Sequence, residues 1–229
     1  MKACLAAGVR RCVITSSCAA IMDVADADKP ADRNFNESHW SNPDRSQGMA
    51  NYAKSKVLAE KAAWDFQAAL PEDQKFEVVV INPSFVMGPP LRKEFFTSGD
   101  FMAKVMEGKM ETVSGDHLGA VDVRDVAFAH LQAIKVPEAA NRRFILSHFS
   151  PSFQEYAKPV IDKYVPLGWP CSTNFAAANP DEYIHLFDNT ASREVLGVPY
   201  IEWSKTVVDM ADKMVELGTV SKTPAAVAV

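Results

Sequence analysis

The chain has 229 residues, 48% of them hydrophobic and 23% charged, and a net charge of −5, a composition able to bury a sizeable core. Its lysines and arginines are dispersed among acids, so nucleic acid and anionic membranes are not expected partners. Apolar runs such as Val78-Val79-Val80-Ile81 fall far short of the roughly 18 residues of a spanning helix, and the apolar start breaks at Gly8-Val9-Arg10-Arg11, too early for a secretory signal, so a cytoplasmic chain is expected.

In chain order, residues 1 to 7 predict a short helix closed by Gly8, followed by a strand at Cys12-Val13-Ile14. Small polar residues, Thr15-Ser16-Ser17, end that strand, and a polar loop is expected from Asp23 to Gly48. A helix from about Ala50 to Leu70 follows, with Val57, Leu58, Ala62 and Phe66 as its apolar face, and Pro71 closes it. Glu77 to Ile81 reads as a strand buried on both faces, ending at Asn82-Pro83, the pattern of a parallel sheet.

A helix near Asp100 to Met106, an apolar run Gly119-Ala120-Val121 and a helix starting at Asp122, with Asp125 in its first turn, come next. Arg142 to Leu146 predicts another strand, and Ser152-Phe153-Gln154-Glu155 a capping box opening a helix in which Pro159 predicts a kink or early stop. The last helix, about Trp203 to Leu217, places Val207, Val208, Ala211, Met214 and Val215 on one side, with Gly218 after it. Strands alternating with helices give an α/β fold.

Four cysteines (Cys4, Cys12, Cys18, Cys171) form no C-x-x-C pair and read as reduced, and the five histidines have no metal-ligand spacing, so no metal is expected. Asp23, Asp26 and Asp28 lack the glycine and glutamate of a calcium loop and read as solvated. His130 reads as a core or rim residue.

Tyr52 and Lys56 are four apart on a predicted helix and so share one face. A phenol is a weak acid-base catalyst near neutrality, and an adjacent ammonium favours its ionised form. Alone the spacing is close to chance. It gains weight from context, because Ser17 lies past the end of a strand, where open parallel sheets bind ligands, and a hydroxyl there could hydrogen-bond a carbonyl whose oxygen gains charge. The plain alternatives are a surface tyrosine beside a solvated lysine, and a serine acting as a cap.

Val13-Ile14-Thr15-Ser16-Ser17, Tyr52-Ala53-Lys54-Ser55-Lys56 and Asn82-Pro83-Ser84-Phe85-Val86-Met87-Gly88-Pro89 occur in the order of the extended short-chain dehydrogenases/reductases. With Lys56 to Trp64 and Asp122-Val123-Arg124-Asp125-Val126-Ala127, nearly the whole chain resembles the dihydroflavonol reductase, cinnamoyl-CoA reductase and methylglyoxal reductase group. The resemblance implies an NADP(H)-dependent carbonyl reductase, NADP(H) being favoured over NAD(H), acting on a small-molecule ketone or aldehyde. It makes Ser17, Tyr52 and Lys56 catalytic and gives Tyr52, Lys56, Pro83 and Val86 to the cofactor. The segment Pro90 to Asp100, with Phe95 and Phe96, resembles the family's substrate cover; its plain reading is a surface loop.

The resemblance also implies a Rossmann-type doubly wound sheet whose glycine-rich first half, roughly 80 to 110 residues, has no counterpart in this sequence. The expectation is therefore a fragment: residues 1–150 the remaining part of the nucleotide-binding domain, 151–218 mostly a substrate lobe with C-terminal helices, and 219–229 a flexible tail. The strand at Cys12 to Thr15 would keep an open edge, for another chain to complete. A nucleotide-sugar epimerase or dehydratase, and a non-catalytic binding or assembly module, are the alternatives.

Overall fold

The structure, a computed structural model, describes residues 1–44, 50–94 and 96–222. Phe95, residues 45–48 of the expected loop and 223–229 of the expected tail lie outside the described residues. In chain order the elements are α1 (Lys2–Ala6), β1 (Arg11–Thr15), β2 (Asn34–Phe35), α2 (Ala50–Ala68), β3 (Glu77–Pro83), β4 (Phe85–Met87), α3 (Thr97–Met106), β5 (Ala120–Asp122), α4 (Val123–Lys135), β6 (Arg142–Leu146), α5 (Phe153–Tyr164), β7 (Leu186–Phe187), α6 (Thr190–Glu194) and α7 (Trp203–Glu216). They form two compact units, Met1–Ser84 with Asp125–His148 and His185–Pro199, and Phe85–Arg124 with Phe149–Ile184 and Tyr200–Val229. These units interleave along the chain, whereas the sequence suggests a single division after residue 150.

The first unit is built on a three-stranded parallel sheet in the order β1-β3-β6, with Val13 opposite Val79 and Ile81 opposite Phe144. In β3 every residue after Glu77 is buried, as its unbroken apolar run predicts. β1 pairs only with β3 among the described residues and is half-buried from Arg11 to Ile14. Phe76, Val78 and Val80 form one core face, covered by Cys4 and Leu5 of α1 and by Trp64 and Phe66 of α2. Arg11 reaches across to the end of α4, donating to the carbonyls of Ala133 and Val136 at 2.8 and 2.6 Å and satisfying acceptors that a helix terminus leaves free.

Two sequence expectations change in this unit. The face of α2 that packs inward is Ala53, Val57, Glu60 and Ala63, while Leu58 is 47% exposed and Ala62 is exposed. Of the predicted face, Val57 is buried and Phe66 packs on the core, while Leu58 and Ala62 turn outward and a carboxylate, Glu60, takes an inward position. The polar stretch after Ser17 is not structureless: it makes two 3-10 turns, Cys18–Ala20 and Asp26–Asp28, and β2 pairs in parallel with β7, Phe35 opposite Phe187. Ser41 ties its two ends, accepting from Asp23 N at 2.9 Å and donating to Ala19 O at 2.7 Å.

In the second unit β4 and β5 pair in parallel beside α3, α5 and α7. Its core holds Met102, Val105, Met106, Tyr156, Val160, Val207, Met210 and Met214. The Ser152–Glu155 capping box is formed, and α5 runs through Pro159 to Tyr164 instead of stopping early; Tyr156, Ala157, Val160 and Ile161, all buried, hold it in place. In α7 the buried residues are Thr206, Val207, Met210, Ala211 and Met214, whereas Val215 is 36% exposed. Gly88 sits at φ 126, and a Cβ there would lie 2.9 Å from Val123 Cγ1, so this turn requires glycine. Past α7, Val220 is buried and Ser221 N donates to Glu107 Oε1 at 3.0 Å, so residues 219–222 fold back onto their unit and do not belong to a flexible tail.

Candidate active site

The parallel register brings the ends of β1 and β3 together. Thr15 stands opposite Ile81, Ser16 N donates to Ile81 O at 2.7 Å, and Ser17 emerges just beyond. Ser17 is extended, φ −166, and its Oγ accepts from Ala19 N at 3.1 Å, so the hydroxyl caps the Cys18–Ala20 turn. Its proton remains available for donation, since a hydroxyl both accepts and donates.

Tyr52 is 45% exposed near the start of α2, and Lys56 lies one turn further along. The Lys56 ammonium stands 5.6 Å from the centre of the Tyr52 ring, within reach of a cation–π contact. No carboxylate among the described residues pairs with Lys56. Pro83 ends β3 and is buried. Val86 is the middle residue of β4 in the second unit, opposite Val121, and its carbonyl accepts from Ser98 Oγ at 2.6 Å. Phe96 precedes the first residue of α3.

The remaining titratable candidates have structural partners. His130 donates from Nδ1 to Val126 O at 2.8 Å, with Nε2 2.7 Å from Thr15 Oγ1. Asp125 is buried in the first turn of α4, as expected of a helix-start residue. Asp26 pairs with Lys29 at 2.8 Å. Burial pushes the Cys18 thiol well up, suiting an inert core residue.

Sequence reasoning missed a buried polar cluster under α2. Glu60 is 1% exposed; its Oε2 accepts from Ser16 Oγ at 2.5 Å and Asn82 Nδ2 at 2.8 Å, and its Oε1 from Arg143 Nε at 2.5 Å. Arg143 also donates to the carbonyls of Glu37 and His39 at 2.6 and 2.8 Å, and its guanidinium lies 3.7 Å from the centre of the Trp40 ring. A surface cavity of about 370 Å³ borders this cluster, lined by Glu37, Trp40, Trp64, Asn141, Arg142 and Arg143 and by none of the five expected site residues. The signal present in the sequence was a period of four, Tyr52, Lys56, Glu60, one stripe of a helix.

Comparison with known proteins agrees with this architecture. Residues 1–156 match the 3-beta hydroxysteroid dehydrogenase/isomerase family. The NADPH-dependent methylglyoxal reductase GRE2 of Saccharomyces cerevisiae is 33% identical over 91% of this chain and 64% of its own length. Cinnamoyl-CoA reductase 1 of Arabidopsis thaliana is 30% identical over 93% of this chain and 59% of its own length. The solved structure of Gre2 with NADPH from Candida albicans superposes with a TM-score of 0.72 at 30% identity, covering 91% of this chain and 65% of that one. The chain thus spans under two thirds of the length of these relatives.

Proposed function

The chain belongs to the 3-beta hydroxysteroid dehydrogenase/isomerase family of extended short-chain dehydrogenases/reductases, and from that membership we propose that it carries the proton-handling part of an NADPH-dependent carbonyl reductase. The observation that supports this most is the placement of the Lys56 ammonium 5.6 Å from the Tyr52 ring, on a helix packed against the turn that Ser17 opens. Both groups are open to a ligand: Tyr52 is 45% exposed and Lys56 is not engaged by a carboxylate among the described residues. They fit the nicotinamide-ribose end of the cofactor, with Pro83 of the same unit contributing backbone.

When bound, the reduced nicotinamide supplies hydride to the carbonyl carbon of a small or aromatic aldehyde or ketone. Ser17 donates a hydrogen bond to the carbonyl oxygen and holds it in place. Tyr52 gives its proton to that oxygen as charge develops, and the Lys56 ammonium stabilises the phenolate left behind. The pairing of β1 with β3 alone among the described residues supports a partner as well: a strand from another chain completes the sheet, and a monodisperse monomer that melts cooperatively counts against it.

The test is NADPH oxidation by the purified chain with methylglyoxal and a panel of aromatic aldehydes and ketones. Tyr52→Phe should lower turnover by roughly 10²- to 10⁴-fold with an unchanged circular dichroism spectrum. A folded Tyr52→Phe chain with near-full turnover rules out the proton-donor role.

A further inference from the structure

Glu60 lies four residues beyond Lys56 and eight beyond Tyr52, so it occupies the same stripe of α2 one and two turns along. Its carboxylate is the meeting point of three strands. Ser16 Oγ comes from just past β1, Asn82 Nδ2 from near the end of β3 and Arg143 Nε from β6, all within 2.8 Å. Asn82 Nδ2 also donates to the Ser17 carbonyl at 3.2 Å, and Ser16 is covalently joined to Ser17. One carboxylate therefore connects the helix that carries Tyr52 and Lys56 to the strand end that carries Ser17.

Packing alone does not require this arrangement. An apolar side chain at position 60 would bury α2 against the sheet without the desolvation penalty of a buried ion, but apolar contact is non-directional and allows a helix to slide or turn by fractions of a residue. Charge-assisted hydrogen bonds to both carboxylate oxygens from three directions fix the helix along and about its axis. The far end of the tie is fixed as well, because Arg143 is clamped by the carbonyls of Glu37 and His39 and stacked on Trp40.

We propose that Glu60 is a positioning residue that sets where Tyr52 and Lys56 stand relative to Ser17. The inference rests on the assignment of those three residues as the reacting groups, and its test separates the two. A nitroxide is attached at the exposed position Lys54→Cys of the full chain, with the half-buried Cys4 and Cys12 changed to serine. Paramagnetic broadening is then read at the backbone amides of Ser16 to Ala20, which reports the distance from helix to strand end without any turnover.

Glu60→Gln should shift the broadening profile of these amides, while Ile81→Val, a mild core truncation in the same sheet, should leave it unchanged. If Glu60→Gln does not fold, Ser16→Ala removes one donor, keeps the Arg143 pair, and should move the same amides by less. In parallel, kcat for NADPH-dependent carbonyl reduction should fall ~10- to 100-fold in Glu60→Gln, with KM for NADPH little altered. A profile identical to the parent in folded Glu60→Gln, or in Ser16→Ala where that variant is the one that folds, overturns the positioning role whatever the activity. Full turnover in Tyr52→Phe alongside a shifted profile overturns the reaction assignment and leaves the placement by Glu60 standing.

Discussion

Glu60 in the first unit and Asp122 in the second are both buried carboxylates, and the two are held in different ways. Glu60 has a side-chain exposure of 0%, and its cation, Arg143, is itself only 8% exposed and 83 residues distant in the chain. The side chain of Asp122 is equally buried, but its cation, Arg124, is 37% exposed and only two residues away. Thr206 Oγ1 also donates to Asp122 at 2.6 Å, and Arg124 has a second acid in Asp209 at 2.6 Å. The first tie is buried at both ends and joins distant segments. The second is a local claw with one end in water and a spare partner. A buried charge pair is judged less by its distance than by where the surviving partner goes once it is broken.

The largest expected effect follows directly. Glu60→Ala leaves the Arg143 guanidinium buried without its counter-ion, and breaking a buried pair in this way costs about 3–5 kcal/mol. Asp122→Ala should cost less, about 1–3 kcal/mol, because Arg124 keeps Asp209 and water. Urea unfolding of the two variants checks the order, and a larger loss for Asp122→Ala breaks the comparison.

A smaller effect should appear with pH, and with opposite signs in the two units. Burial alone would raise the Asp122 carboxyl, but hydrogen bonds from the Arg124 side chain, Thr206 and the Arg124 backbone outweigh it and hold the group below its ordinary value. Its stabilisation is therefore present above the unfolded-state value and lost as pH falls through the lower folded value. Glu37, in the first unit, is raised, chiefly by burial, against a lowering contribution from the Ile145 amide that donates to it at 3.0 Å. Its contribution is present below the unfolded-state value and disappears as pH rises through the higher folded one. Stability measured across the acid range should lose its low-pH decline in part with Asp122→Asn and its gain on mild acidification with Glu37→Gln. If the two variants alter the profile in the same direction, the contrast fails.

The strands and helices were largely legible because local patterns specify them. Arg142–Leu146 is a strand with the predicted bounds, Ser152 and Glu155 form the predicted box, and Gly8 and Gly218 close helices in the left-handed region, at φ 62 and 64. The face of α2 was legible only in part, at Val57 and Phe66, since a glutamate among lysines and alanines reads as solvated until its partner 83 residues away is known. Nor were the short strands β2 and β7, two residues each, too brief for any periodicity. Of the site, Ser17 and the Tyr52–Lys56 contact were visible as spacing and strand-end position, Ser16 and Asn82 only as residues at strand ends, and Arg143 carried no local mark.

By itself the sequence determined the α/β class, the order of the main elements and the candidate trio, because helix period, buried-strand runs and caps depend on neighbours within a few residues. Only the tertiary structure decided that two units interleave, that β1 pairs on one side among the described residues, and that a carboxylate on α2 is buried at the meeting of three strands. Those features depend on which distant segments come into contact, and a buried charge is tolerated only where that contact supplies its donors.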